Sequence, residues 1–121
     1  MNCLTLNLSG NPKSTQTIYR YTCRGNYGNL YMTKTGKDLK EQYKWEMKAL
    51  RPKITDKILE VEIGLYFGTK RKVDVDNFNK LILDAGSGII WKDDSQIKKL
   101  TVEKFYDKKD PHIRLVVKEL S

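Results

Sequence analysis

Asp74 and Asp76 stand two residues apart in "KRKVDVDNFNK", and in an extended chain residues so spaced project to the same side. Two carboxylates on one side repel each other unless a cation lies between them. Lys80 comes four residues after Asp76, one turn along the same face of a helix that starts there. A carboxylate pair beside an ammonium suits phosphodiester chemistry. The acids hold Mg²⁺ or Mn²⁺, and the lysine neutralises charge growing on phosphate in the transition state. "KDDS", with Asp93 and Asp94, can return a third or fourth carboxylate to this site after the helix. Oxygen-only ligands favour hard cations, and no histidine or thiolate in the segment argues for zinc. A calcium loop fails on its positions: it needs an oxygen ligand, a glycine and a glutamate where this chain has Phe78, Asn79 and Ala85. Each acid also has a plain structural use, Asp76 as a helix cap, Asp84 as a solvated helix residue and Asp93-Asp94 as a polar turn.

The charge around these acids is of the opposite sign. Lys and Arg number 23 against 15 acids, a net charge of +8, which favours a polyanionic partner such as nucleic acid. Residues 1–50 carry 8 basic and 3 acidic side chains, and residues 51–100 carry 10 and 8. Lys70, Arg71 and Lys72, with Lys13, Arg20 and Arg24, can clamp backbone phosphates that flank a metal-bound one. Lys108-Lys109 reads as a solvated face.

Other chemistries find little support. His112 is the single histidine, which excludes a His-rich metal site and speaks against a Ser-His or Cys-His nucleophilic pair; it reads as structural or exposed. Cys3 and Cys23 form no CxxC pair and read as ordinary thiols of a reducing compartment. "RGNYGN" is followed by no GK[ST], so no phosphate-cradling loop and no nucleotide cofactor are expected. No segment approaches the ~20 apolar residues that span a bilayer, and "MNCLTLNLSG" lacks a secretory pattern. The expectation is a soluble cytoplasmic protein with no membrane partner.

The elements that must position the acids follow from periodicity. Residues 1–121 make one domain, large enough to fold without staples. "CLTLNL" alternates as a half-buried strand, "QTIYRYTC" reads as a second, and "RGNYGN" as a turn or loop. Leu39, Tyr43, Met47 and Leu50 recur at helical spacing from about Lys37 to Leu50, with Thr35 or Gly36 as the start and Pro52 as the stop. Tyr43, Trp45 and Met47 read as packing residues. "KILEVEIGLYFG" alternates strictly and is long enough for the centre of a sheet. "DNFNKLILDA" places Phe78, Leu81, Ile82 and Ala85 on one helical face, with Asp76 or Asn77 as N-cap and Gly86 or Gly88 as the stop. "QIKKLTVEKFYD" and "HIRLVVKEL" read as a hairpin around "KKDP". The order ββαβαββ suggests an α+β domain, two helices on one face of a mixed sheet.

The segment "DVDNFNKLILDAGSGIIWKDDSQI" resembles the signature of the RusA-type Holliday junction resolvases. It has an Asp-x-Asp-Asn start, a lysine four residues after the second Asp, a Leu-Asp-Ala helix, a short loop, an aromatic, and Asp-Asp-x-Gln-Ile. The resemblance implies a small α+β domain that dimerises, uses Mg²⁺ or Mn²⁺ and nicks two strands of a four-way DNA junction symmetrically. It implies that Asp74, Asp76 and Asp94 are catalytic metal-binding acids with Asp93 beside them, and that Lys80 is the catalytic lysine. Asp84 would belong to the fold or neighbour the site. Val73 stands where the family often has a basic residue, which leaves that contact to Arg71 or Lys72. "LDAGSG" replaces Leu-Asp-Ala-Leu, and the basic N-terminal stretch is reduced to Pro12, Lys13 and Arg20. The expected function is Mg²⁺-dependent resolution of Holliday junctions by a homodimer in recombination and repair. The alternatives are a nuclease acting on other branched or single-stranded DNA, and a non-catalytic DNA-binding protein whose acids are only caps.

Overall fold

The computed structural model describes residues 3–14, 18–24, 27–70, 72–75 and 78–120. Its elements are β1 (Cys3–Ser9), β2 (Tyr19–Arg24), β3 (Tyr27–Met32), α1 (Lys34–Lys48), β4 (Leu59–Phe67), α2 (Asn79–Gly86), a 3₁₀ turn (Asp94–Gln96), β5 (Ile97–Tyr106) and β6 (His112–Glu119).

Strand β4 organises the molecule. Leu59, Val61, Ile63, Leu65 and Phe67 are all buried, and the residues between them are half-buried on the opposite face, as the period of 2 dictates. It lies inside a four-stranded sheet of order β1-β6-β4-β5, antiparallel to β6 and parallel to β5. The expected tail hairpin is therefore not formed, because β4 separates β5 from β6. The reason lies in how differently the two strands are buried. β6 buries Ile113, Leu115 and Val117 and takes an inner place, paired also with β1. In β5 only Ile97 and Val102 are even half-buried, and its Lys98, Lys99 and Lys104 suit an edge strand, where lysines discourage further pairing.

The inward residues of β1, β4 and β6 form one buried cluster with Tyr43 and Met47 of α1 and Leu81, Ile82 and Ala85 of α2. Both helices thus cover the same face of the mixed sheet. On the other face, Tyr66 stacks between Phe105 and His112, with ring centroids 4.7 and 4.2 Å away. His112 is structural there, its Nδ1 lying 2.6 Å from the Asp110 carbonyl.

Two local expectations need correction. Most of "RGNYGN" is strand: Arg24 pairs with Tyr27 and Tyr19 with Met32, so β2 and β3 form a separate two-stranded sheet. Trp45 is 73% exposed and is not a packing residue, because the buried stripe of α1 runs through Gly36, Tyr43 and Met47. Leu50 lies beyond the helix end and is exposed as well.

Helix α1 also starts earlier than Thr35. Thr33 caps it, its Oγ1 accepting from the Gly36 N–H at 3.1 Å and donating to the Ile18 carbonyl at 3.0 Å. Gly36 sits against that corner: a Cβ there would lie 2.6 Å from Ile18 Cγ2, 2.7 Å from the Ile18 carbonyl oxygen and 2.8 Å from Met32 Cγ. Gly36→Ala should therefore destabilise the protein by about 1–3 kcal/mol despite alanine's better helix propensity, which urea denaturation would measure. Among the described residues no helix is long and apolar enough to cross a membrane.

Candidate functional site

The second aspartate pair is built where α2 hands the chain to β5. Past Gly86 the chain folds back so that Trp91 lies against the helix end, and a Cβ on Gly86 would meet the indole at 2.5 Å. Thr55, ahead of β4, clamps this loop through Thr55 N–H to the Ile90 carbonyl and Lys92 N–H to the Thr55 carbonyl. Trp91 is fully buried, so its one polar hydrogen needs a partner. That partner is Asp94: Trp91 Nε1–H donates to Asp94 Oδ1 at 2.7 Å. The indole thereby orients the half-buried Asp94 carboxylate, and the bond uses only one of its two oxygens.

Asp93 is placed differently. Its Oδ2 accepts from the Ser95 N–H at 3.0 Å, capping the 3₁₀ turn. Hydrogen bonds from Ser95, side chain first and backbone second, hold the Asp93 carboxyl below the usual carboxylate range. Gln96 completes the turn, its Oε1 accepting from the N–H groups of Lys92 and Asp93 at 2.8 Å. Its Nε2 donates to the carbonyls of Thr55 and Lys57 at 2.9 Å. The Asp-Asp turn is thus tied to the chain entering β4 by one glutamine.

The first pair lies between β4 and α2. Asp74 is exposed, and the carbonyl of its neighbour Val73 accepts from Lys104 Nζ at 3.4 Å. Asp76, Asn77 and Arg71 lie outside the described residues. The N-cap position of α2 is taken by Phe78, with no side-chain cap bond. Phe78 is buried and meets Phe67 edge-on at 5.2 Å, so apolar packing locates the helix start where a polar cap was expected.

Lys80 is brought to Asp84, Nζ to Oδ2 3.6 Å, and Tyr19 of β2 donates its hydroxyl to the same Asp84 oxygen at 2.9 Å. Burial, and then the Asp84 carboxylate, push the Tyr19 phenol well above the ordinary tyrosine value. Asp84 Oδ2 therefore has two partners, a hydrogen-bond donor and an ammonium, and is not merely solvated. Of the basic residues expected to meet phosphate, Lys13, Lys70 and Lys72 are exposed. Lys70 lies over the Tyr106 ring, 5.3 Å from its centroid. The Arg20 backbone belongs to β2, and its side chain, like Arg71, lies outside what is described.

Among the described residues no three His, Cys, Asp or Glu side chains converge as a metal-binding group; Asp76 is not among them. The expected donors that are described, Asp74, Asp93 and the oriented Asp94, offer carboxylate oxygens alone, a set chemically suited to Mg²⁺ or Mn²⁺.

A model of the family described as endodeoxyribonuclease RusA matches residues 9–118. The chain belongs to the RusA endodeoxyribonuclease family. The match runs from the last residue of β1 into β6 and takes in the whole segment from Asp74 to Asp94. The chain is also 44% identical over 50 residues to the uncharacterized protein YqaN of Bacillus subtilis (strain 168). That alignment spans 41% of this chain and 34%, about a third, of the relative's length.

Three residues hold the side chains of this candidate site in ways that the sequence motif alone does not state. Gln96 had a readable signal, since Asp followed three residues later by Gln is a capping-box pattern. Trp91 was seen only as an aromatic of the motif, although an indole three residues before an aspartate can reach its carboxylate. Tyr19 had no local signal, being 65 residues from Asp84.

Proposed function

We propose that this RusA-family chain is a Mg²⁺- or Mn²⁺-dependent endonuclease that resolves Holliday junctions as a homodimer, by paired symmetric nicks, in DNA recombination and repair. The observation that carries the reading is the Asp94 carboxylate held by the buried Trp91 indole, within a family match that includes Asp74 and Lys80. Asp74, Asp76 and Asp94 would hold the cation, with Asp93 shaping the turn beside them. When bound, the ion supplies a water of lowered pKa and offsets charge on the scissile phosphate. Lys80 places its ammonium against a non-bridging phosphate oxygen, where negative charge grows.

The remaining cations hold the substrate. Lys13, Arg20, Lys70, Arg71 and Lys72 contact flanking phosphates, which makes affinity salt-dependent and nearly indifferent to sequence. A two-fold dimer suits a junction whose strands are related by approximate two-fold symmetry.

The test is an immobile four-way junction, end-labelled in turn on each strand, incubated with Mg²⁺ or with EDTA. Paired nicks at symmetry-related positions in Mg²⁺ and none in EDTA are expected. Cleavage of flaps or single strands in preference to the junction, or cutting that survives EDTA, would overturn the assignment.

A further inference from the structure

We infer that Tyr19 and Asp84 are positioning residues for Lys80, holding its ammonium in place before substrate arrives. The inference rests on Lys80 acting at the scissile phosphate, as proposed above.

Two side chains one turn apart on α2 and a third from distant β2 make the arrangement. Asp84 Oδ2 receives the Tyr19 hydroxyl at 2.9 Å and lies 3.6 Å from Lys80 Nζ. Lys80 Nζ in turn lies over the Tyr19 ring, 5.1 Å from its centroid, within the range of a cation–π contact. The ammonium is therefore bounded by a carboxylate on one side and an aromatic face on another. Its side chain is still 51% exposed, open to an incoming phosphate.

A solvated pair one helical turn apart explains the ionic contact but not its orientation. Lys80 is the second residue of α2 and Asp84 is the third from its end, so a cation sits near the positive end of the helix dipole and an anion near the negative end. Both placements oppose the dipole, and a lysine preceding its acid is the weaker order for such a pair. Helix stability thus gives no reason for these two residues in this order. A reason appears once Tyr19 is included. A free lysine samples many rotamers, whereas one set between Asp84 and the Tyr19 ring needs little ordering when phosphate binds. The effect should fall on the chemical step and leave binding alone, because the flanking lysines and arginines carry affinity.

Tyr19→Phe removes the hydroxyl and keeps the ring. In single-turnover cleavage of a four-way junction it should lower the rate about tenfold, since small misplacements of a reacting group cost rate steeply. Junction affinity in EDTA should not change. A second readout does not depend on activity: reductive ¹³C-methylation of the lysines, followed by NMR. The dimethyl signal of Lys80, identified by its loss in Lys80→Arg, should be displaced by the ring from the bulk lysine position. It should return to bulk in Tyr19→Leu and move part-way in Asp84→Asn. A Lys80 signal already at the bulk position, or a Tyr19→Phe rate equal to wild type, overturns the inference. A wild-type chain that cuts no DNA but shows the displaced signal overturns the proposed function and upholds the placement of Lys80.

Discussion

Asp74→Asn is expected to lower Mg²⁺-dependent junction cleavage by about a hundredfold to a thousandfold, while junction binding in EDTA holds or tightens. Asp74 is exposed, and asparagine has nearly its shape, so the fold should not notice the change beyond the usual ~0.5 kcal/mol of a surface substitution. The loss is one of charge. A carboxylate that helps hold a divalent cation supports several kcal/mol of transition-state stabilisation, and each ~1.4 kcal/mol is a factor of ten in rate. Binding moves the other way, because removing a negative charge beside a phosphate removes repulsion in a chain of net charge +8. Single-turnover cleavage and gel shifts on one protein preparation read both quantities. Wild-type cleavage by Asp74→Asn would withdraw Asp74 from the site and overturn the assignment of the metal-holding acids.

The split between what could be read in the sequence and what could not follows the range of the forces involved. Strand β4 was legible because strict alternation of five buried positions has one reading, and its central place follows from its burial on one face and half-burial on the other. The β5–β6 hairpin was misread because two alternating segments around a short polar turn look alike whether they pair with each other or with a third strand. Only the lysines of β5 marked it as an edge. Strand β3 was hidden by its own Gly28 and Asn29, residues of turn chemistry that pair here with Cys23 and Thr22 of β2. In the site, the acids and Lys80 were legible as a local pattern on a contiguous stretch. What orients them was not, because the Tyr19–Asp84 bond joins elements that only the tertiary fold brings together. The Trp91–Asp94 bond spans three residues, yet it forms only because burial leaves the indole N–H no water to bond.

Trp91 carries the second large prediction, since it serves fold and site at once. It is among the largest fully buried side chains of the protein, and Trp91→Ala should cost about 3–5 kcal/mol, a large share of the ~5–15 kcal/mol that holds a domain folded. Trp91→Phe is the more informative change. It keeps most of the apolar volume but removes the Nε1–H that meets Asp94 Oδ1. A hydrogen bond to a charged group is worth about 1.5–3 kcal/mol, and urea denaturation should show a loss of that order. At a temperature where circular dichroism shows the variant fully folded, its cleavage rate should still be down by about tenfold to a hundredfold, because the Asp94 carboxylate is free to turn away from its working orientation. The two measurements separate the roles of the indole. A variant that is less stable but cuts at the wild-type rate would mean that the bond only satisfies a buried N–H and that Asp94 is oriented by the capped turn alone. A loss of rate in folded protein ties the depth of the core directly to the geometry of the acid, and explains why an aromatic stands three residues ahead of it.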